Sequence, residues 1–333
     1  MRLLVTGGLG FIGSNFIRLM LDRHEDCKIL NVDAKHYGSN ASNLADLKDD
    51  KRYSFLEGDI ADSALASDLV RNMDAVVNFA AETHVDRSIS RPDSFLHSNV
   101  VGVYSLLEAL RHHNPLARFV QISTDEVYGD ILEGSFTEES ALLPSSPYSA
   151  SKAAGDVFVL AYARTFGLEA MITRCTNNYG PYQFPEKLIP KIIIRAREGL
   201  KIPVYGTGQN VRDWIYVMDH CRAVEQVLLR GRKGEIYNIS AGEEKTNLFI
   251  VKTILDMLGK DERSIEFVED RPGHDARYSL NSSKIRHELG WRPKRSFQEA
   301  LRMTVNWYLQ NSDWFRPLVD DKILSATPWR LKW

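Results

Sequence analysis

Three observations predict a doubly wound α/β fold on a parallel sheet. Short apolar runs alternate with amphipathic helical stretches from the start of the chain to about residue 175. The first run leads into a glycine-rich turn, Thr6-Gly7-Gly8-Leu9-Gly10-Phe11-Ile12-Gly13, and the second ends on an acid, Asp33. Strands alternating with helices imply a parallel sheet covered on both faces.

The runs are Leu3 to Thr6, Lys28 to Asp33, Tyr53 to Glu57, Ala75 to Ala80, Phe119 to Ser123 and Ala170 to Arg174. Between them, Phe16, Ile17, Met20 and Leu21 mark a helix by their spacing. Two further helices carry apolar stripes. One runs from about Phe95 to His112, with Val100, Val103, Leu107 and Leu110; the other follows Tyr148, with Val157, Val159, Leu160 and Tyr162. Such stripes usually face a core. Beyond residue 175 the alternation breaks, and prolines and glycines cluster from Tyr179 to Gly208. Two later runs, around Trp214 to Val217 and Ile236 to Ile239, are expected to return to the first domain. The predicted division is therefore interleaved: 1–175 and 211–240 in a nucleotide-binding domain, 176–210 and 241–333 in a smaller substrate domain. The tail from Asp313 onward is rich in Trp and Pro and either packs on the body or frays.

Composition narrows the class. The 333 residues can bury a large core and two domains. Hydrophobic residues at 44% and charged residues at 26% are ordinary for a soluble enzyme. A net charge of -2 gives no reason to expect a nucleic-acid partner. Cys27, Cys175 and Cys221 are widely spaced without a metal-ligand pattern, so they read as buried thiols in a reducing compartment. The chain opens straight into Leu3-Leu4-Val5 and has no apolar run of membrane-spanning length, so neither a leader nor a membrane span is expected and the cytoplasm is the expected location.

The glycine turn carries the first mechanism. Gly7, Gly10 and Gly13 stand at G-x-x-G-x-x-G spacing after a strand and at the start of a helix. Glycine permits a tight turn and close backbone approach to a pyrophosphate, and the helix N-terminus offers free N–H groups. Phe11 and Ile12 lie inside the same turn. Asp33, about 20 residues on, suits the ribose hydroxyls of an adenosine. A carboxylate there repels a 2′-phosphate, which favours NAD over NADP. Asp59 and Ile60, ending the third run, could flank adenine or form a plain turn.

The second mechanism sits where the run Arg118-Phe119-Val120-Gln121-Ile122 reaches Ser123-Thr124-Asp125-Glu126. Adjacent residues of a regular strand point to opposite faces, so both carboxylates can face one site only at the strand's end, where the backbone turns. Ligands bind at the carboxyl ends of parallel strands; alone, these residues equally suit a solvated acidic loop. Tyr148 and Lys152, four apart, share one helix face behind Pro147. The ammonium is expected to lower the phenol's pKa, fitting Tyr148 for proton transfer.

These motifs together resemble the extended short-chain dehydrogenases/reductases that modify sugar nucleotides. Within that group, Thr124-Asp125-Glu126 resembles the motif of the 4,6-dehydratases of dTDP-glucose. Further stretches extend the resemblance over nearly the whole chain: Ala80-Ala81-Glu82-Thr83-His84-Val85-Asp86-Arg87-Ser88, Asn177-Asn178-Tyr179-Gly180-Pro181-Tyr182-Gln183, Asn210-Val211-Arg212-Asp213-Trp214 and Asp270-Arg271-Pro272-Gly273-His274-Asp275. A serine would be expected at Thr83; both residues keep a hydroxyl.

The resemblance implies a Rossmann-type fold, NAD and a nucleoside-diphosphate glucose. It implies that Tyr148 removes the C4 hydroxyl proton as hydride leaves C4, with Thr124 orienting that hydroxyl. Glu126 would then be base at C5, Asp125 acid on the C6 hydroxyl, and hydride would return to C6. Asp125 must hold its proton above its reference pKa, and its neighbour's charge pushes that way. Ala80, Ser98 and Asn178 match NAD contacts, beside Tyr148 and Lys152. Thr83 and His84 match positions near the sugar, Asn177 and Lys187 further substrate contacts, and Asn247 and His274 positions near the diphosphate or its ribose. Pro203-Val204-Tyr205-Gly206 resembles the segment that stacks on the base. Arg212 and Arg271 are the phosphate candidates, since guanidinium matches phosphate oxygens bidentately. The resemblance also implies a homodimer through a four-helix bundle. Two other readings share the fold: a UDP-sugar 4-epimerase or decarboxylase, which gives Asp125-Glu126 no task, and a redox-sensing binding protein, which would not need Tyr148 and Lys152.

Overall fold

Seven apolar runs lie side by side in one sheet. A computed structural model describes residues 1–331; positions 332 and 333 of the expected substrate domain lie outside the described residues. The large sheet contains β1 (Arg2–Thr6), β2 (Lys28–Asp33), β3 (Tyr53–Glu57), β4 (Ala75–Asn78), β5 (Arg118–Thr124), β6 (Ala170–Cys175) and β10 (Ile236–Ile239). Its order is β10-β6-β5-β4-β1-β2-β3, with every pairing parallel. The chain builds outward from β1 to β3, then crosses back to lay β4 beside β1. That reversal opens a crevice at the carboxyl ends of β1 and β4.

Period-two alternation explains why both sheet faces are apolar. Leu3 and Val5 enter one core with Val77, Val120 and Met171, while Leu4 enters the opposite core with Val76, Phe119 and Ile172. The first core is closed by the helices Phe11–Arg23 and Val217–Arg230, through Phe16, Ile17, Met20, Val224 and Leu228. The second is closed by Ser63–Val70, Gly102–His113 and Pro147–Phe166, through Val70, Val103, Leu107 and Val159. Each fully buried aliphatic side chain stabilises the fold by about 1.5–3 kcal/mol. Of the two expected stripes, Val103, Leu107, Leu110 and Val159 face this core, whereas Val157 is 55% exposed.

The remaining strands form two small sheets. β7 (Asn177–Tyr179), β9 (Val211–Tyr216) and β11 (Glu244–Thr246) make one, in the order β11-β9-β7. β8 (Ile202–Tyr205) and β12 (Ile265–Val268) pair in parallel as the other. Of the two runs expected to return to the first domain, Ile236–Ile239 is an edge strand of the large sheet. Val211–Tyr216 instead pairs with β7 and β11, and the helix behind it returns to the Phe11–Arg23 helix. The tail packs on the body: Phe315, Ile323 and Trp329 are buried. Among the described residues no helix is long and apolar enough to cross a membrane.

One ion pair sits inside the second core's rim. Arg174 of β6 holds Asp156 at 2.9 Å, both essentially without exposure, and the guanidinium lies 4.7 Å over the Tyr128 ring. Removing one member strands the other charge in low dielectric. Asp156→Asn is expected to lower unfolding stability by about 3–5 kcal/mol, read from urea denaturation; a loss under about 1 kcal/mol would show that the pair is not a structural joint.

Candidate active site

The glycine turn closes against the end of β4. Gly7 adopts φ +70° and its N–H donates to the Val32 carbonyl at 2.8 Å. A Cβ on Gly7 would stand 2.5 Å from the Ala80 nitrogen, and one on Gly13 would stand 2.5 Å from the Gly7 carbonyl oxygen. Neither position therefore has room for a side chain. The Phe11–Arg23 helix that follows has no side-chain cap at Gly10 and no acid in its first turn, which suits an anion at that end. Asp33 ties the loops together, accepting from Leu9 N at 3.0 Å, Lys35 N at 2.8 Å and Ser39 Oγ at 2.7 Å.

A cavity of about 300 Å³ runs from this turn to the end of β5. Every expected NAD residue lines it: Gly7, Gly10, Phe11, Ile12, Gly13, Asp33, Asp59, Ile60, Ala80, Ser98, Tyr148, Lys152 and Asn178. Asn178 Oδ1 is buried there with no partner among the described residues. The cradle without side chains, the uncapped helix end and this orphaned acceptor fit a dinucleotide. A π-type turn at His97–Val101 brings Asn99 inward, where it accepts from Glu82 N and donates to Glu82 O and Ser151 Oγ. These bonds lock the segment after β4 to the helix bearing Tyr148.

At the end of β5 the backbone turns as the adjacency of two carboxylates requires. Thr124 closes the strand, and Asp125–Tyr128 forms a 3₁₀ turn ending on Gly129 at φ +85°. Thr124, Asp125, Glu126, Tyr148 and Lys152 all line the same cavity. Thr124 Oγ1 donates to Asp125 Oδ1 at 3.2 Å, while Asp125 Oδ2 is buried and unpartnered among the described residues. Burial and then the Glu126 charge push the Asp125 carboxyl well above its ordinary value. Burial also raises Glu126, but Arg271, Arg212 and Lys187 oppose it. The two acids therefore meet different surroundings: Arg212 opposes the shift of both, but Arg271 and Lys187 act on Glu126 while the Glu126 charge adds to the shift of Asp125.

The helix Pro147–Phe166 is set by a capping box between Ser146 and Ser149, with Pro147 in its first turn. This delivers Tyr148 and Lys152 one turn apart on a buried face. The ammonium of Lys152 donates to the Ile122 carbonyl at 2.6 Å. The expected lowering of the Tyr148 pKa is not what the protein groups produce. Burial, followed by the Glu126 carboxylate, pushes the phenol well above its ordinary value. Burial likewise pulls the Lys152 ammonium down, with Asp156 opposing it. Desolvation outweighs a single ammonium in so enclosed a place. Cys175 lines the cavity too, but burial pushes its thiol up to about 12, so it is no nucleophile at neutral pH.

A second cavity of about 180 Å³ adjoins the first through Thr83, Glu126, Asn177, Glu186 and Lys187. It is lined by His84, Pro203, Tyr205, Arg212, Asn247, Arg271 and His274, so all expected substrate residues fall on one continuous path. Arg212 is 5% exposed and bonds to the backbone carbonyls of Val211 and Asp275, with Tyr278 4.2 Å beneath its plane. Carbonyl partners orient the guanidinium and leave its charge uncancelled. Arg271 meets Asp86 at 2.7 Å. Lys187 Nζ donates to the Thr83 carbonyl at 3.2 Å. His84 is buried, with Nδ1 3.7 Å from Glu186, and burial keeps it neutral. Among the described residues no cluster of acids, His and Cys could hold a metal.

Several lining residues escaped the sequence reading. Glu186 borders both cavities, accepts from Tyr37 at 2.6 Å, and is raised in pKa by burial. Tyr278 and Lys191 line the second cavity. Their only sequence signal was proximity: Glu186 precedes Lys187, and Tyr278 stands four residues after His274. A Gly13→Ala substitution must displace the Gly7 carbonyl. Its expected outcome is a loss of NAD affinity of at least about tenfold, some 1.4 kcal/mol, by calorimetric titration; unchanged affinity would mean that the turn does not seat the pyrophosphate.

Comparison with known proteins agrees with this geometry. Residues 4–304 match the family model described as GDP-mannose 4,6 dehydratase. The chain is 50% identical over 332 residues to a dTDP-glucose 4,6-dehydratase of Streptomyces niveus, covering 98% of each. It superimposes with a TM-score of 0.93 on DesIV, the dTDP-glucose 4,6-dehydratase of Streptomyces venezuelae, solved with NAD and TYD bound; identity is 49%, over 96% of this chain and 100% of that one. A UDP-glucuronic acid 4-epimerase of Bacillus cereus shares the fold at a TM-score of 0.88 but only 27% identity, over 93% and 99% of the two chains. The chain belongs to the dTDP-glucose 4,6-dehydratase family of extended short-chain dehydrogenases/reductases.

Proposed function

We infer that this chain converts dTDP-glucose to dTDP-4-keto-6-deoxyglucose with loss of water. The observation that carries the reading is the pair Asp125 and Glu126 on one turn, facing the cavity that Tyr148 and Lys152 also line. Bound NAD supplies the acceptor for the C4 hydride and the donor that reduces C6. Tyr148 takes the C4 hydroxyl proton, and Thr124 hydrogen-bonds that hydroxyl. Oxidation at C4 acidifies the hydrogen at C5. Glu126, facing Arg271, Arg212 and Lys187, is the acid more easily kept anionic and serves as base at C5. Asp125, held protonated by burial and by its neighbour's charge, delivers its proton to the departing C6 hydroxyl. The glycine cradle and Asp33 hold NAD; Arg212, Arg271, His274 and Asn247 hold the diphosphate end, and Tyr205 meets the base.

A 4-epimerase would use Tyr148 and Lys152 and leave Asp125-Glu126 without a task. Product mass separates the two readings. Incubation with dTDP-glucose in heavy water is expected to give loss of one water and one solvent deuterium at C5. Galactose at unchanged mass would overturn the reading. Glu126→Gln is expected to retain C4 oxidation and suppress C5 exchange; equal loss of both steps in a folded variant would remove Glu126 from its role.

The same proposal includes a homodimer. The outer faces of the helices Gly102–His113 and Pro147–Phe166, with the turn before the first, leave Val101, Tyr104, Val157 and Phe158 exposed, Tyr104 and Phe158 in edge contact at 6.1 Å. Two such helix pairs would bury this apolar patch as a four-helix bundle. Sedimentation velocity is expected to give a dimer for the parent and a monomer for Val157→Arg; a monomeric parent would refute the assembly. The three cysteines are free and buried, which supports a reducing cytoplasm.

A further inference from the structure

The Trp- and Pro-rich tail has so far been given no task. It does not simply cover core. From Leu324 it meets elements that line the second cavity, and Trp329, 8% exposed, sets its ring edge against Tyr205 at 4.7 Å and 79°. Tyr205 is only partly buried and lines the second cavity, with His274 at its other side at 6.3 Å. One element earlier, the Ser325 carbonyl accepts from Lys191 Nζ at 3.2 Å, and the Leu324 carbonyl accepts from Arg195. Lys191 is 6% exposed and also lines the second cavity. Arg330 pairs with Glu269, two residues before Arg271. The tail thus touches two cavity residues that come from two different elements, Tyr205 of β8 and Lys191 of the Leu188–Arg197 helix.

We propose that the C-terminal segment supports the nucleotide subsite from behind its lining, with Trp329 as the positioning residue that fixes the Tyr205 ring for the base and the Ser325 carbonyl as the group that aims Lys191 at the diphosphate end. The proposal rests on the reading that the second cavity takes the nucleoside diphosphate. The Tyr205 ring is only partly buried on a two-stranded sheet, and a nearly perpendicular ring packed on it restrains its setting. An edge-to-face partner supplies that restraint and is worth about 0.5–1.5 kcal/mol. A base stacking on Tyr205 then meets a ring already in place, which lowers the ordering cost of binding. The ammonium of Lys191 is held among Glu186, Asp86, Lys187 and Arg195; a carbonyl acceptor orients it without neutralising it.

The test uses the full-length, NAD-loaded protein and dTDP as probe. In calorimetric titration, Trp329→Ala is expected to weaken dTDP binding about fivefold to tenfold. The KM for dTDP-glucose should rise in step while kcat at saturation stays within about twofold, and Trp329→Phe should restore affinity. A structural role alone would lower the melting temperature without this split between KM and kcat. Should the alanine variant unfold, Trp329→Leu leaves a smaller void than alanine, still removes the ring edge and should show the same loss. Tyr205→Ala is measured in parallel. Unchanged dTDP affinity in folded Trp329→Ala or Trp329→Leu, with affinity lost in Tyr205→Ala, overturns the role of the tail and leaves the subsite standing. Unchanged affinity in all variants overturns the tail proposal together with the assignment of the second cavity.

Discussion

The parallel pairing of β1 with β4 is the constraint on which the rest of the site depends. Leu3–Thr6 lies against Ala75–Asn78, although about 70 residues of chain separate them. With β2 and β3 already on the other side of β1, the connections after β1 and β4 leave on opposite faces of the sheet, and a crevice opens between them. The approach is so close that Gly7 has no space for a Cβ against Ala80. Register then carries the effect sideways. Asn78 pairs with Gln121, and β5 runs three residues further before its backbone turns. The hydroxyl of Thr124 therefore stands at the last pairing of the sheet, and both carboxylates arrive just past it, beside the crevice.

Desolvation governs the electrostatics that follow. A buried carboxyl prefers its neutral form, a buried ammonium its neutral form, and only neighbouring charge decides how far each moves. For Asp125, burial and then the neighbouring carboxylate raise the acid, and Arg212 and the Thr124 hydrogen bond oppose them only in part. Glu126, one residue on, faces Arg271, Arg212 and Lys187, and its burial is opposed. One turn of backbone thus gives two like side chains unlike acidities. The same enclosure raises the Tyr148 phenol despite the lysine on its helix face, because burial and then the Glu126 carboxylate act on it most strongly.

The cationic end is built differently. The guanidinium of Arg212 is oriented by carbonyls of Val211 and Asp275, so it keeps a full charge for an anion. Arg271 is paired with Asp86, which fixes it at the cost of part of its field. Lys191 and Lys187 are also held through carbonyl oxygens, of Ser325 and Thr83. Anchoring cations by neutral dipoles recurs around the second cavity, and it preserves positive potential where the proposed diphosphate would lie.

The sequence by itself determined the local features whose causes are local. Alternating Leu3, Leu4 and Val5 specify a strand buried on both faces. Three glycines at fixed spacing specify a side-chain-free turn, and Tyr148 and Lys152 share a face because a helix repeats every 3.6 residues. The adjacent acids at the end of an apolar run required a turn there, and Asp125–Tyr128 is that turn. What only the tertiary structure decided were relations between residues far apart in the chain. Val211–Tyr216 has the pattern of a core strand, yet it pairs with Asn177–Tyr179 and Glu244–Thr246, because strand pattern encodes burial and not partner. Glu186, Tyr278 and Lys191 carried no motif of their own, and their cavity positions come from neighbours folded beside them. The tail was open between packing and fraying until Trp329 met Tyr205, more than a hundred residues earlier. Periodicity records which side of an element is apolar; which element it meets is fixed only when every such face must be buried at once.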